Sequence, residues 1–331
     1  MATSTAPPTK EPRPPSGRSP APRSTTSRRQ AWSSRWHALD MRAAPYAYIA
    51  PFFVLFGAFG LYPLIYTGWV SLHRVDLGST EMEWLGLENY TALVQDELFW
   101  NALWNTFTLG VLSTVPQLLM ALGIAHLLNY RLRGSIFFRV AALTPYATSV
   151  AASALIFSLL FSPGDEAVMN WFLGLVGIDA VDWENGDLTA QIAISVIVTW
   201  RWTGYNALLY LAAMQAISRD LYEASAIDGA SRWQQFRQVT IPGIRPTIVF
   251  TVVLSTIGAT QLFGEPLIFG GAAGASGGIN NQYQTLGLLL YENGWTYGHL
   301  GRGAAIAWLM FLILLIVFAL NALVSRRLRR S

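Results

Sequence analysis

The sequence predicts an all-α membrane protein of six transmembrane helices, and three observations carry that reading. Of 331 residues, 53% are hydrophobic and 12% charged, about half the charged fraction of an average soluble domain, roughly 25%. Six apolar runs lie near 46–70, 105–129, 137–161, 190–214, 247–267 and 303–325. Each reaches or exceeds the roughly 20 residues that cross about 30 Å of hydrocarbon, and lipid offers no partner to free backbone groups, so the runs are helices. The third observation is that basic residues fall in alternate connections.

Residues 1–40 are rich in Pro, Ser, Thr and Arg, with almost no aliphatic residue. They cannot bury the apolar surface that offsets chain ordering, and read as a disordered basic tail. Arg28, Arg29, Arg35 and Arg42 offer contacts to membrane lipid headgroups, with a solvated tail the simpler alternative. The first run is too long for a signal peptide and reads as an anchor. Residues 41–104 then form the first helix and an external segment, and residues 105–331 the core membrane domain, including the polar loop 218–246.

Orientation follows from charge. Seven arginines and Lys10 precede the first run. Arg131, Arg133 and Arg139 flank the second connection, Arg219, Arg232, Arg237 and Arg245 the fourth, and Arg326, Arg327, Arg329 and Arg330 the C-terminus. The opposite side carries only Arg74 and Arg302. Cytoplasmic connections are enriched in basic residues, so both termini and the 218–246 loop are expected in the cytoplasm, in a multi-pass plasma-membrane protein.

Several functions are excluded. There is no cysteine, hence no disulfide, thiolate chemistry or cysteine metal site. Lys10 is the one lysine, so no Gly-Lys-Ser/Thr loop exists to cradle phosphates. If ATP drives this chain, another polypeptide binds it. No catalytic residues, metal, cofactor of its own or nucleic-acid partner are expected.

The longest polar interruption in the second half is 221–246, LYEASAIDGASRWQQFRQVTIPGIRP. Ser218 is a candidate N-cap, with Asp220 and Glu223 near the positive end of a short helix. Gly229 suits its left-handed C-cap. Ser231 and Gln234 have capping-box spacing for a second helix, which Pro242 and Pro246 are expected to stop. The stretch resembles the coupling motif of ABC-importer permeases: Glu223-Ala224-Ser225, then Gly229, then Val239, Ile241 and Pro242. Ser225 stands where the family has a second Ala, and Ile241 where it has Leu. More broadly, Gly86–Tyr90, Asn105-Thr106, Thr285-Leu286 and Tyr291-Glu292 resemble segments of the maltose-type carbohydrate permeases.

That resemblance implies a type I importer bundle with a cytoplasmic coupling helix. It also implies a second homologous permease, a cytoplasmic ATPase dimer that holds the ATP, and an extracytoplasmic solute-binding protein that delivers a sugar or oligosaccharide. Glu223, Ala224, Ser225, Asp228, Gly229 and Pro242 would form the ATPase-coupling set. Tyr205 and Gln261 fall at or near the family's sugar-contacting positions, whereas Val198 and Gly258, at other such positions, lack polar side chains.

Polar groups inside spans face the bundle or a wet cavity. Trp202 and Asn206 are therefore further candidates for the substrate path, packing or helix–helix hydrogen bonding being their plainer roles. Counting rise along unbroken helices puts Arg201 roughly 15 Å below the outer surface and separates it from Glu265 by roughly 10 Å, so pairing would need the arginine to reach outward. The alternatives are a glycerol-phosphate or polyol permease of the same family and an ion-coupled secondary transporter. A phosphate would want more buried basic groups than Arg201 alone; a secondary transporter would want a carboxylate near the midplane.

Overall fold

The computed structural model describes residues 44–130, 133–271 and 276–330, with the backbone alone for 320–330. The tail expected over 1–40, Arg131 and residues 272–275 of the third external segment lie outside the described residues. Contacts divide the chain into residues 1–63 and 64–331.

The described part of the first unit is helical, with a π turn at Gly57–Leu61. Phe52, Phe53 and Phe59 are each more than half exposed, an apolar exposure that suits hydrocarbon rather than water. These residues begin helix α1, Ala44–Ser71.

In the second unit, β1 (His73–Arg74) pairs antiparallel with β2 (Glu83–Trp84). Helix α2 (Glu88–Gln95) and the 32-residue α3 (Glu97–Leu128) follow. Asp96 caps α3, accepting from the Leu98 amide at 2.9 Å, and its other oxygen pairs with Arg302. Asp96→Ala removes both and is expected to cost about 1–2 kcal/mol. Asp96→Asn keeps the cap and should lose less. Thermal unfolding of the detergent-solubilised protein checks the order.

The remaining helices are α4 (Ser135–Ala147), α5 (Val150–Leu160), α6 (Val168–Leu175), α7 (Asp187–Gln215), α8 (Arg219–Ile227), α9 (Arg232–Gly243), α10 (Arg245–Thr260), α11 (Gly264–Phe269), α12 (Leu286–Tyr291) and α13 (Leu300–Arg330). By length and composition α1, α3 and the Leu300–Ala319 part of α13 are able to cross a membrane, as are the bent pairs α4–α5 and α9–α10. The fourth apolar run forms α7, whose 29 residues are long enough at 1.5 Å per residue, about 40 Å. It is less apolar because protein surrounds it: α7 packs on α3, α4, α5, α10 and α11.

Three expectations are corrected. The third run is not one helix: α4 and α5 meet at 92°. Pro145 withholds a helical donor, and Thr148 and Ser149 adopt extended backbone. The fifth run is not one helix either. It ends at Thr260, passes through irregular Gln261, Leu262 and Phe263, and resumes as α11. Lastly, Pro242 does not stop its helix. A π turn over Phe236–Thr240 carries the chain through it, with the Ile241 amide bonding back to Phe236. The 66° bend comes after Gly243, at Ile244, which is fully buried.

Three apolar clusters hold the second unit together. One surrounds Ala190, Ile194 and Ile197 of α7, a second surrounds Ala207, Tyr210 and Met214, and a third joins α2, α3, α12 and α13 through Leu93, Phe99, Leu289 and Ile306.

Candidate functional site

Between the first two clusters, α7 gives its middle residues to a cavity of about 810 Å³. Polar residues of α3 (Ser113, Gln117), α7 (Arg201, Asn206) and α10 (Ser255) line it, together with Trp202, the α4–α5 elbow at Ser149 and Val150, Gln261 in the break after α10, and Glu265 of α11. Both interrupted helices thus break at this one cavity. The breaks touch: a Cβ on Gly264 would lie 2.9 Å from Val150 Cγ1. Helix interruptions free backbone groups, which membrane proteins tolerate only beside protein or a wet cavity.

Arg201 and Glu265, whose pairing the rise count disfavoured, form an ion pair at 2.5 Å with both side chains buried. The count assumed a continuous fifth helix. Because α10 ends at Thr260, the chain folds Glu265 back beside α7. The Leu262 carbonyl in the break accepts from Thr285 Oγ1 at 2.5 Å, which ties down the chain leading to Glu265.

Of the substrate-path candidates, Trp202, Asn206 and Gln261 line the cavity, as do Val198 and Gly258. Tyr205 does not. It stacks on Tyr146 with ring centroids 4.8 Å apart, and both rings contact Trp202 edge-on. Asn206 Nδ2 donates to the Trp202 carbonyl at 3.2 Å, while its Oδ1 is buried without a partner among the described residues. Sequence reasoning missed Gln117, which donates to Ser255 Oγ at 3.2 Å. A glutamine beside Pro116 in an otherwise apolar run was the available signal.

The 218–243 segment is a second, separate element. Ser218 caps α8 through the Asp220 amide, Gly229 has φ +81°, and the Ala230 amide reaches back to the Ser225 carbonyl at 2.9 Å. This is the expected left-handed cap. The Ser231–Gln234 capping box is present in full. Cross-bonds tie α8 to α9: Gln235 Nε2 donates to the Tyr222 carbonyl and to Ser225 Oγ, both at 3.1 Å, and the Tyr222 and Thr240 hydroxyls meet at 2.9 Å. Ser225, the departure from the motif's alanine, is therefore an internal acceptor. Glu223, Ala224, Asp228, Gly229 and Pro242 are exposed.

Residues 117–330 match the family model described as "Binding-protein-dependent transport system inner membrane component". The chain is 33% identical over 306 residues to the arabinooligosaccharides transport system permease protein AraP of Bacillus subtilis, covering 89% of this chain and 93% of that one. It is 36% identical over 279 residues to the lactose transport system permease protein LacF of Rhizobium radiobacter, covering 83% and 91%. Its fold is similar to a chain of a bacterial alginate ABC transporter solved in complex with an alginate pentasaccharide-bound periplasmic protein, with a TM-score of 0.74 at 22% identity, covering 89% and 98%. With its interrupted helices and tied polar segment, this chain is a membrane-spanning permease of the ABC-transporter family of binding-protein-dependent inner membrane components.

Proposed function

We propose that this chain forms part of the path by which a sugar or oligosaccharide, delivered by an extracytoplasmic binding protein, enters the cell. A second homologous permease completes the path. ATP is bound by a pair of cytoplasmic ATPases, which grip the exposed face of 218–243. Both termini lie in the cytoplasm, as the distribution of arginine supports.

The observation that carries this reading is the cavity itself. It opens where two helices break, and its largely apolar wall carries amides, hydroxyls, the Trp202 indole and the Arg201–Glu265 pair. Hydroxyl-rich ligands want such donors and acceptors, with an aromatic face against their C–H surface. Relatives named for arabinooligosaccharide and lactose transport support the substrate class. Closure of the ATPases on nucleotide would move the tied α8–α9 element as a body and switch the bundle between two openings.

In proteoliposomes holding the assembled transporter, Gln261→Ala is expected to lower uptake about threefold to tenfold, the worth of one ligand hydrogen bond. ATP turnover by the partner should persist. Tyr205→Phe, which removes a hydroxyl outside the cavity, should lower it less. Unchanged uptake in Gln261→Ala would remove that residue from the path.

A further inference from the structure

The cavity has two charged lining residues among those described, Arg201 and Glu265, and they are bonded to each other. We infer that Glu265 sets the charge selectivity of the path: by matching Arg201 it reserves the cavity for uncharged saccharides, and its removal opens the cavity to acidic ones. This rests on the sugar path proposed above.

A guanidinium stays protonated wherever it is placed, so Arg201 carries a full positive charge within the bundle. Unmatched, it would be a bidentate receptor for a carboxylate or sulfonate, the strongest kind of contact a cavity wall offers such a ligand. Glu265 already occupies its Nη1 at 2.5 Å. The backbone that carries the glutamate is anchored. It sits on α11, whose start is pressed against Val150 and whose preceding carbonyl is bonded to Thr285. An acidic ligand would have to displace it or lie beside a second negative charge, and like charges in a poorly solvated site disfavour each other.

What the pair leaves over points the same way. Arg201 Nε and Asn206 Oδ1 are buried and have no partner among the described residues. Both belong to α7 side chains lining this cavity. One is a donor and the other an acceptor, and a hydroxyl satisfies either. Buried polar groups left bare are costly, and a turn of either side chain toward the cavity would give it a hydroxyl or water partner.

The test uses the assembled transporter in detergent, without its binding protein, titrated by calorimetry with maltotriose, cellotriose, arabinotriose and trigalacturonate. The wild type should bind at least one neutral trisaccharide and take trigalacturonate at least about tenfold more weakly. Glu265→Gln should move that ratio toward trigalacturonate by about tenfold or more. The isosteric pair Arg201→Gln with Glu265→Gln should return it to the neutral sugar. An assembled Glu265→Gln transporter with the wild-type ratio overturns the inference. It leaves the sugar path standing if Gln261→Ala still weakens the neutral sugar. A wild type that binds none of the four sinks both readings. Should Glu265→Gln fail to assemble, Arg201→Gln reads the opposite sign: the tricationic glucosamine trimer gains about tenfold if Glu265 acts by charge, and a lack of gain overturns the inference.

Discussion

Uptake by a transporter carrying Gly229→Asp is expected to fall to background while the chain remains inserted in the membrane. Gly229 has φ +81°, and a Cβ there would meet nothing within 4 Å. Within this chain the substitution therefore costs only backbone strain, of the order of 1 kcal/mol, and aspartate tolerates the left-handed region better than most residues. That is too little to unfold a bundle held by three apolar clusters. On the proposed coupling role, the larger effect arises where the open side of the turn meets a partner protein, because an extra carboxylate is placed there. Gly229→Asn has nearly the same shape and conformational tolerance without the charge, and should keep a substantial part of the activity. Uptake, ATP turnover and membrane content measured together separate the outcomes. Full uptake by Gly229→Asp would remove the 218–243 element from the coupling role.

Gly204→Leu should abolish the folded protein, and even Gly204→Ala should lower its thermal stability markedly. A Cβ at this position would fall well inside van der Waals contact with the Ala142 carbonyl oxygen. Here α7 and α4 approach backbone to backbone, as membrane helices do where small residues face each other. Overpacking a core usually costs about 1–3 kcal/mol because side chains give way. A carbonyl within a helix has no rotamer to change, so the two helices must separate along their contact. Gly123→Ala is the control: its Cβ would meet nothing within 4 Å, and alanine is the better helix former by roughly 1 kcal/mol. Size-exclusion profiles and melting temperatures of detergent-extracted variants should rank Gly123→Ala at or above wild type, Gly204→Ala below it, and Gly204→Leu as aggregated or absent.

The ion-coupled alternative loses its physical basis at the same site where the cavity gains its chemistry. Such a transporter needs a carboxylate able to take and release a cation. Glu265, the one candidate in the sequence, is committed to Arg201 at 2.5 Å. A phosphate ester fares no better, since the single arginine in the wall among the described residues is already matched.

Much of the 218–243 segment was legible in the sequence because its signals are local. A cap, a left-handed glycine and a capping box each depend on residues within one turn of one another, so Ser218, Gly229, Ser231 and Gln234 behave as their spacing dictates. The role of Ser225 was not legible. Its partner Gln235 lies across a turn, and nothing in the local pattern marks the two as neighbours.

By itself the sequence determined the lengths and number of apolar runs, the place of the polar segment and its helix ends. Hydropathy and capping are properties of contiguous residues, and lipid enforces them wherever the chain is folded. Only the tertiary structure decided where the third and fifth runs break, that Glu265 returns to Arg201, and that Gln117, Asn206 and Gln261 share one cavity while Tyr205 stands beside it. Depth counted along a sequence presumes an unbroken helix. Where neighbouring helices can satisfy the backbone groups that a break sets free, packing chooses the path, and residues that the count holds apart come into contact.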